Sequence, residues 1–237
     1  MLKNISCTFF FFLISLLVSG QTPSVHGLII NAERKDSSKN FTGAIDDLNK
    51  ALEISSNDTA LWLRAKMYLQ INDVKNALHD VNKVIDAKHK HAEAYFIRGL
   101  IKAKTENYAS AVSDFDKAIG LNKNYTKAYY NRGLSYAYME EYLSAIEDFS
   151  KAIELKNDYS NAWFNRGYWK DVSGDKQGAL KDLERAKELD NKNTDIHVEL
   201  AIVYYELKQK EKACAELNEA KNLGSERSEE LMMEFCK

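Results

Sequence analysis

Proline is nearly absent: Pro23 is the single one in 237 residues, so nothing in the rest of the chain interrupts a helix by removing a backbone donor. No charge of one sign accumulates either, because 33 Lys and Arg stand against 35 Asp and Glu for a net charge of -2. That balance argues against a nucleic-acid partner, which needs clustered Lys and Arg to meet phosphates. The lysines alternate with acids instead, the pattern of a solvated helix face. There is no glycine-rich phosphate loop, no His-Glu-x-x-His and no serine set in a nucleophile elbow, and the carboxylates do not converge on one point. His26, His79, His89, His91 and His197 are scattered, and His89 and His91, which flank Lys90, lack a third ligand nearby. No catalytic residue, metal or cofactor is therefore expected. With 45% apolar and 29% charged residues, what remains is one soluble helical domain.

The one long apolar run lies at the start. Lys3 precedes it, it extends from Thr8 to Val18, and Val18, Ser19 and Gly20 supply the small residues of a cleavage site. Residues 1–20 thus have the layout of a signal peptide, with a core shorter than the roughly 20 residues a membrane span needs. Export to a periplasm or the extracellular space is the expectation, with no membrane insertion after cleavage; a leader retained as an anchor is the alternative. Removing the leader takes Cys7 away and leaves Cys214 and Cys236 in an oxidising compartment.

What fills the rest is a period of 34. Thr126 to Tyr159 overlays its neighbours on shifting by that length. Gly133 recurs as Gly99 and Gly167, then as Ala65 and Ala201. Ala145 recurs as Ala77, Ala111, Ala179 and Ala213, and Phe149 as Val81, Phe115, Leu183 and Leu217. A fixed period of this size implies stacked helical hairpins, with small residues where two helices approach and aromatics filling the adjacent volume. In these residues the chain resembles the tetratricopeptide repeat family, which places aromatic, Gly, Tyr, Ala, Phe and Ala at the same offsets.

The resemblance implies an all-α, right-handed solenoid of six repeats, at residues 25–57, 58–91, 92–125, 126–159, 160–193 and 194–224, with a capping helix over 225–237. The first repeat is degenerate, with a weak first helix around Leu28 to Lys39. Repeats two to five are each expected to turn on Asn or Gly, as at Ile71-Asn72-Asp73 and Ser173-Gly174-Asp175. The proline frequent at the thirty-second place of the family is replaced by Ser56, His89, Lys123, Asn157 and Asn191. Lys102 and Lys170 stand where the family has tyrosine, so those two repeats are expected to pack less tightly.

At the C-terminus, Leu231, Met232 and Phe235 give the last helix an apolar stripe suited to cover the end of the stack. A turn near Gly224 would bring residue 235 or 236 level with Cys214, so a Cys214–Cys236 disulfide is expected, worth ~2 to 4 kcal/mol. A free Cys236 beside a buried Cys214 is the alternative.

One charged pattern keeps step with the repeat. Arg64, Arg98, Arg132 and Arg166 occupy the seventh place of repeats two to five, and Asp80, Asp114, Asp148 and Asp182 follow each by 16. A structural ladder of ion pairs between first and second helices is the expectation, since arginines on a contact face need partners; arginines reaching out to an acidic ligand, with the aspartates elsewhere, are the alternative. Resemblance to the family also puts the ligand surface on the concave wall of first helices. Carried onto this chain, that wall presents Trp62, Phe96, Lys127, Tyr130, Leu134, Tyr138, Asn161, Phe164 and Tyr168. Rings in such a row suit an extended or helical peptide with apolar anchors, and periodic rings also serve as core. The function implied is a non-catalytic scaffold, adaptor or chaperone-assisting module for a protein or peptide ligand; the alternative is a structural protein that self-associates, a homo-oligomer, through its groove or end caps.

Overall fold

The computed structural model describes residues 24–87 and 90–237; the leader at 1–20 and His89 lie outside the described residues. Among the described residues there are thirteen helices and no strand. Twelve form hairpins in series: α1 (Val25–Ser37) with α2 (Phe41–Ile54), α3 (Asp58–Gln70) with α4 (Val74–Ala87), and α5 (Ala92–Lys104) with α6 (Tyr108–Leu121). The series continues as α7 (Thr126–Tyr138) with α8 (Tyr142–Leu155), α9 (Ser160–Val172) with α10 (Lys176–Leu189), and α11 (Thr194–Glu206) with α12 (Lys210–Asn222). Each hairpin packs on the next, and α13 (Glu226–Phe235) closes the end against α12 and α11.

α1 is not the frayed helix its sequence suggests. It begins three residues earlier than expected because the Ser24 side chain accepts the Gly27 amide, and at 13 residues it is as long as the other first helices.

The turn inside each hairpin is made the same way six times. The residue at the fifteenth place takes positive φ, and these are Lys39, Asn72, Glu106, Glu140, Gly174 and Lys208. The following amide then bonds the carbonyl of the eleventh place, as from Asp73 to Tyr68 at 2.8 Å and from Glu141 to Tyr136 at 2.9 Å. This is a Schellman closure, which spends carbonyls the helix end leaves free. Asn or Gly at every turn is therefore a correction to make: repeat four turns on Met139, Glu140 and Glu141, and Glu140 holds φ of 62°. Packing of two helices forces a conformation that Glu alone disfavours.

The close approach also has a sharper partner than the alanines. A Cβ on Gly99 would lie 2.6 Å from the Phe115 ring, and one on Gly133 would lie 3.0 Å from Phe149. Where the eighth place is Ala65 or Ala201, the facing residue is the smaller Val81 or Leu217, and all four are fully buried. Size is thus exchanged between the eighth and twenty-fourth places in repeats two to four, whereas Gly167 and Ala201 both face a leucine, Leu183 and Leu217. The alanines Ala111, Ala118, Ala145 and Ala152 pack with no exposure around these contacts.

At the C-terminal end the sulfurs of Cys214 and Cys236 meet, with Cα atoms 5.8 Å apart. Phe235 of α13 is buried and stacks on Tyr205 of α11, ring centroids 3.8 Å apart.

Candidate functional site

Two sets of side chains recur along the stack. The first is ionic. Arg64 donates through Nε and Nη2 to both oxygens of Asp80 at 2.7 and 2.8 Å, and Arg98 does the same to Asp114 at 2.8 Å. Arg132 meets Asp148 at 2.7 and 2.6 Å, and Arg166 meets Asp182 at 2.7 Å. The fork of guanidinium matches the two oxygens of a carboxylate, which is why Arg stands here. The aspartates are buried, so each needs that match.

Each arginine has a third hydrogen bond, and it goes to the second helix of the preceding repeat. Nη1 donates to Asn49 from Arg64 at 2.7 Å, to Asn82 from Arg98 at 3.0 Å, to Asp116 from Arg132 at 2.5 Å and to Ser150 from Arg166 at 3.1 Å. One side chain therefore joins three helices and two repeats. Sequence reasoning missed these acceptors because Asn, Asp and Ser share no single letter at that place.

The eleventh place completes the pattern. Lys102 and Lys170 add an ammonium to Asp114 and Asp182 at 2.6 and 2.8 Å. The looser packing expected of these repeats is not found, since α5 and α6 lie as closely together as α7 and α8. The lysine reaches the buried carboxylate that a tyrosine leaves alone. Lys35 does likewise for Asp47 at 2.6 Å in the first repeat, and in the last repeat Glu216 is met by His197 and Lys187, each at 2.7 Å. Burial pushes the Asp148 carboxyl up, and its single guanidinium does not offset this. Burial also works against the charge of Asp114, but the hydrogen bonds from Arg98 and Lys102 outweigh it and hold that carboxyl below its ordinary range.

The second set is aromatic and lies on first helices and on the linkers between repeats. A cavity of about 560 Å³ opens there, with Trp62 of α3, Phe96 of α5, Lys127 of α7 and the linker rings Tyr125 and Tyr159 on its walls. The expected row of rings is only partly brought together. Trp62 and Phe96 face the cavity, but Phe96 is 7% exposed and is held between Phe115 and Tyr125, centroids at 5.8 and 4.9 Å. It is a buried floor and not a free contact, because the ring at the fifth place is covered by the linker that follows its own repeat.

Tyr130 is half-buried under Tyr159 in the same manner at 4.9 Å, and its hydroxyl accepts from Asn165 at 3.1 Å. Burial and the nearby Tyr159 push its phenol up to about 12, so it stays neutral. Phe164 packs on the core of the last repeats, and Leu134 packs on the cluster of Ala137, Ala145 and Phe149. Tyr168 meets Trp169 edge-on at 4.9 Å. Tyr138 departs furthest: it is 68% exposed and lies flat on Tyr108 of α6, outside the cavity. Lys127 and Asn161 are exposed.

The linker residues His91, Tyr125 and Tyr159 were missed, although they recur at 34 and each meets the fifth-place ring of its own repeat. Among the described residues no group of three or more His, Cys, Asp or Glu is placed to hold a metal.

Helical hairpins stacked in series, with an arginine tying each of the four central repeats to the one before, define a solenoid of the kind that mediates protein contacts. The chain belongs to the tetratricopeptide repeat family. Models of that repeat match residues 92–125 and 126–159, the registers of the third and fourth hairpins. Among solved structures, MamA is 30% identical over 68% of this chain and 95% of its own, with a TM-score of 0.59. PilF of Pseudomonas aeruginosa is 18% identical over 89% and 97%, with a TM-score of 0.80. A tetratricopeptide repeat protein of Parabacteroides merdae is 20% identical over 93% and 87%, with a TM-score of 0.64. The last two are similar in fold alone. Among curated proteins none matches this chain significantly.

Proposed function

We propose that this chain is an exported, non-catalytic scaffold or adaptor that holds a peptide segment of a partner protein against its concave wall. The observation that carries the reading is the cavity floored by Phe96 and flanked by Trp62, Tyr125 and Tyr159, an aromatic recess edged by charged residues. Rings fixed by linker stacking lose little freedom when a ligand arrives, which favours binding. The family and the ordered ion-pair spine support a rigid platform over a catalyst.

Replacing Trp62 and Tyr130 together by Ala, in a protein that keeps its helical content, abolishes capture of a specific partner from a periplasmic extract. Undiminished capture defeats the reading. Export is supported by the leader-like residues 1–20 and by the placement of Cys214 beside Cys236. Mass spectrometry of exported protein prepared without reductant finds no free thiol on either cysteine and an N-terminus after Gly20; two free thiols or an intact leader count against it.

Self-association is the second reading, favoured by the rim on which Tyr138 is 68% and Leu143 76% exposed. A size by light scattering that grows with concentration, and falls back on Leu143→Lys, assigns that rim to it.

A further inference from the structure

The turns inside the hairpins line up along one edge of the stack. The linkers that wall the cavity lie at the other end of the first helices, 13 residues or about 20 Å away. The turn edge is apolar at its middle. Tyr138, the last residue of α7, lies flat on Tyr108, the first of α6, with centroids 4.8 Å and planes 9° apart, so the pair sits between the third and fourth turns. Tyr138 remains mostly exposed, as do Leu143 beside it, Ile71 at the second turn and Val172 at the fifth.

Charge is ordered around that ring pair. On one side stand the exposed cations Lys104, at the third turn, and Lys75, just after the second. On the other stand the exposed acids Glu140 and Glu141, at the fourth turn, and Asp175, at the fifth. Asp175 caps α10 by accepting the Gly178 amide at 2.9 Å, and among the described residues none of these five side chains has an ion-pair partner. Counted outward from the rings, each cation on one side has an acid at the same distance on the other, and Ile71 has Val172. A surface with that order is its own complement under a half-turn.

We infer that a second copy of this chain docks on this edge, across a two-fold axis that passes between α6 and α7 at the Tyr108 and Tyr138 rings. The inference rests on the self-association reading above and names its surface and its symmetry. Four rings make the apolar centre, the composition that interface cores favour. Around them Lys104 of each copy meets Glu140 and Glu141 of the other, Lys75 meets Asp175, and Ile71 meets Val172. Glu106, exposed at the third turn, falls opposite the same two acids and is a mismatch. Four turns about 10 Å apart, on an edge two helices or about 20 Å wide, offer about 800 Å² per copy, the size of a standard specific interface. The cavity lies at the far edge, so a dimer presents two of them.

The test is sedimentation of the exported protein over a range of concentrations, which finds a monomer and dimer equilibrium with no larger species. Tyr138→Ser weakens the dimer about a hundredfold, since a central ring is lost twice. Lys104→Glu weakens it about tenfold, and so does Glu140→Lys combined with Glu141→Lys. An equal mixture of those two variants regains the parent association, because each copy then supplies the charge the other needs. Glu106→Lys tightens the dimer, and raised salt narrows all the charge effects. Circular dichroism of every variant matches the parent, since all these sites are exposed.

A monomer at every concentration defeats both this inference and the self-association reading. Assemblies that grow without limit, or a dimer unmoved by Tyr138→Ser, overturn this inference and leave self-association to the groove or the end caps. A mixture no tighter than its two parts overturns the two-fold axis and with it the inference.

Discussion

In repeat three the carboxylate of Asp114 receives both Arg98 and Lys102, whereas in repeat four that of Asp148 receives Arg132 alone. Arg132 is moreover shared, because its outer nitrogen holds Asp116 of repeat three at 2.5 Å. The difference traces to one place, Lys102 against Tyr136, and it recurs through the stack as Lys35, Tyr68, Lys102, Tyr136, Lys170 and Tyr204. One backbone plan thus accepts two ways of neutralising the same buried acid, and the lysine version concentrates charge within a repeat while the tyrosine version stacks the arginine on a ring, as Arg132 does on Tyr136 at 5.9 Å.

The strongest way to break this comparison is to remove the acid. Asp114→Ala leaves two cations facing a buried site and costs about 3–5 kcal/mol in urea denaturation, while Asp148→Ala costs less, because Arg132 keeps Asp116. Equal costs would show that the second cation is idle.

Next in size is the helix approach, which is tighter in repeat three. Gly99→Ala costs about 1–3 kcal/mol and more than Gly133→Ala, in line with the 2.6 and 3.0 Å separations a Cβ would meet. Adding Phe115→Leu to the first recovers part of the loss.

Acidity sharpens the contrast further, with opposite signs in the two repeats. Asp114 is held below its ordinary value, so its contribution is complete above about pH 4 and is lost as pH falls through the depressed value. Asp148 is raised, so the fold binds its proton more tightly than the unfolded chain does, and stability declines as pH rises from about 4 through the raised value. Carboxyl titration by nuclear magnetic resonance finds Asp148 above Asp114, and Lys102→Tyr moves Asp114 toward Asp148.

The smallest effect tests what the repeats share. Glu106 and Glu140 both hold positive φ, near 60°, so Glu106→Gly and Glu140→Gly each raise stability by about 0.5 kcal/mol, as the relief of strain exceeds the added chain entropy.

Period, helix pairing and the Arg-to-Asp spacing of 16 were legible because each is fixed by one letter that returns every 34 residues. The turn was read less well: the helix pair enforces the left-handed residue whatever its side chain, so Glu140 and Lys208 give no local sign of it. The groove was least legible. Counting along first helices finds Trp62 and Phe96, but it cannot weigh linker rings that fold back on them, and Tyr125 and Tyr159 turn exposed-looking aromatics into a floor.

The third hydrogen bond of each arginine has a direction. The acceptor always belongs to the hairpin that comes earlier in the chain: Asn49 before Arg64, Asn82 before Arg98, Asp116 before Arg132, Ser150 before Arg166. A chain that emerges from its N-terminal side therefore presents each of hairpins two to five with a finished acceptor for its arginine. Growth and folding can advance in the same sense, one hairpin at a time, with α13 packing on the sixth.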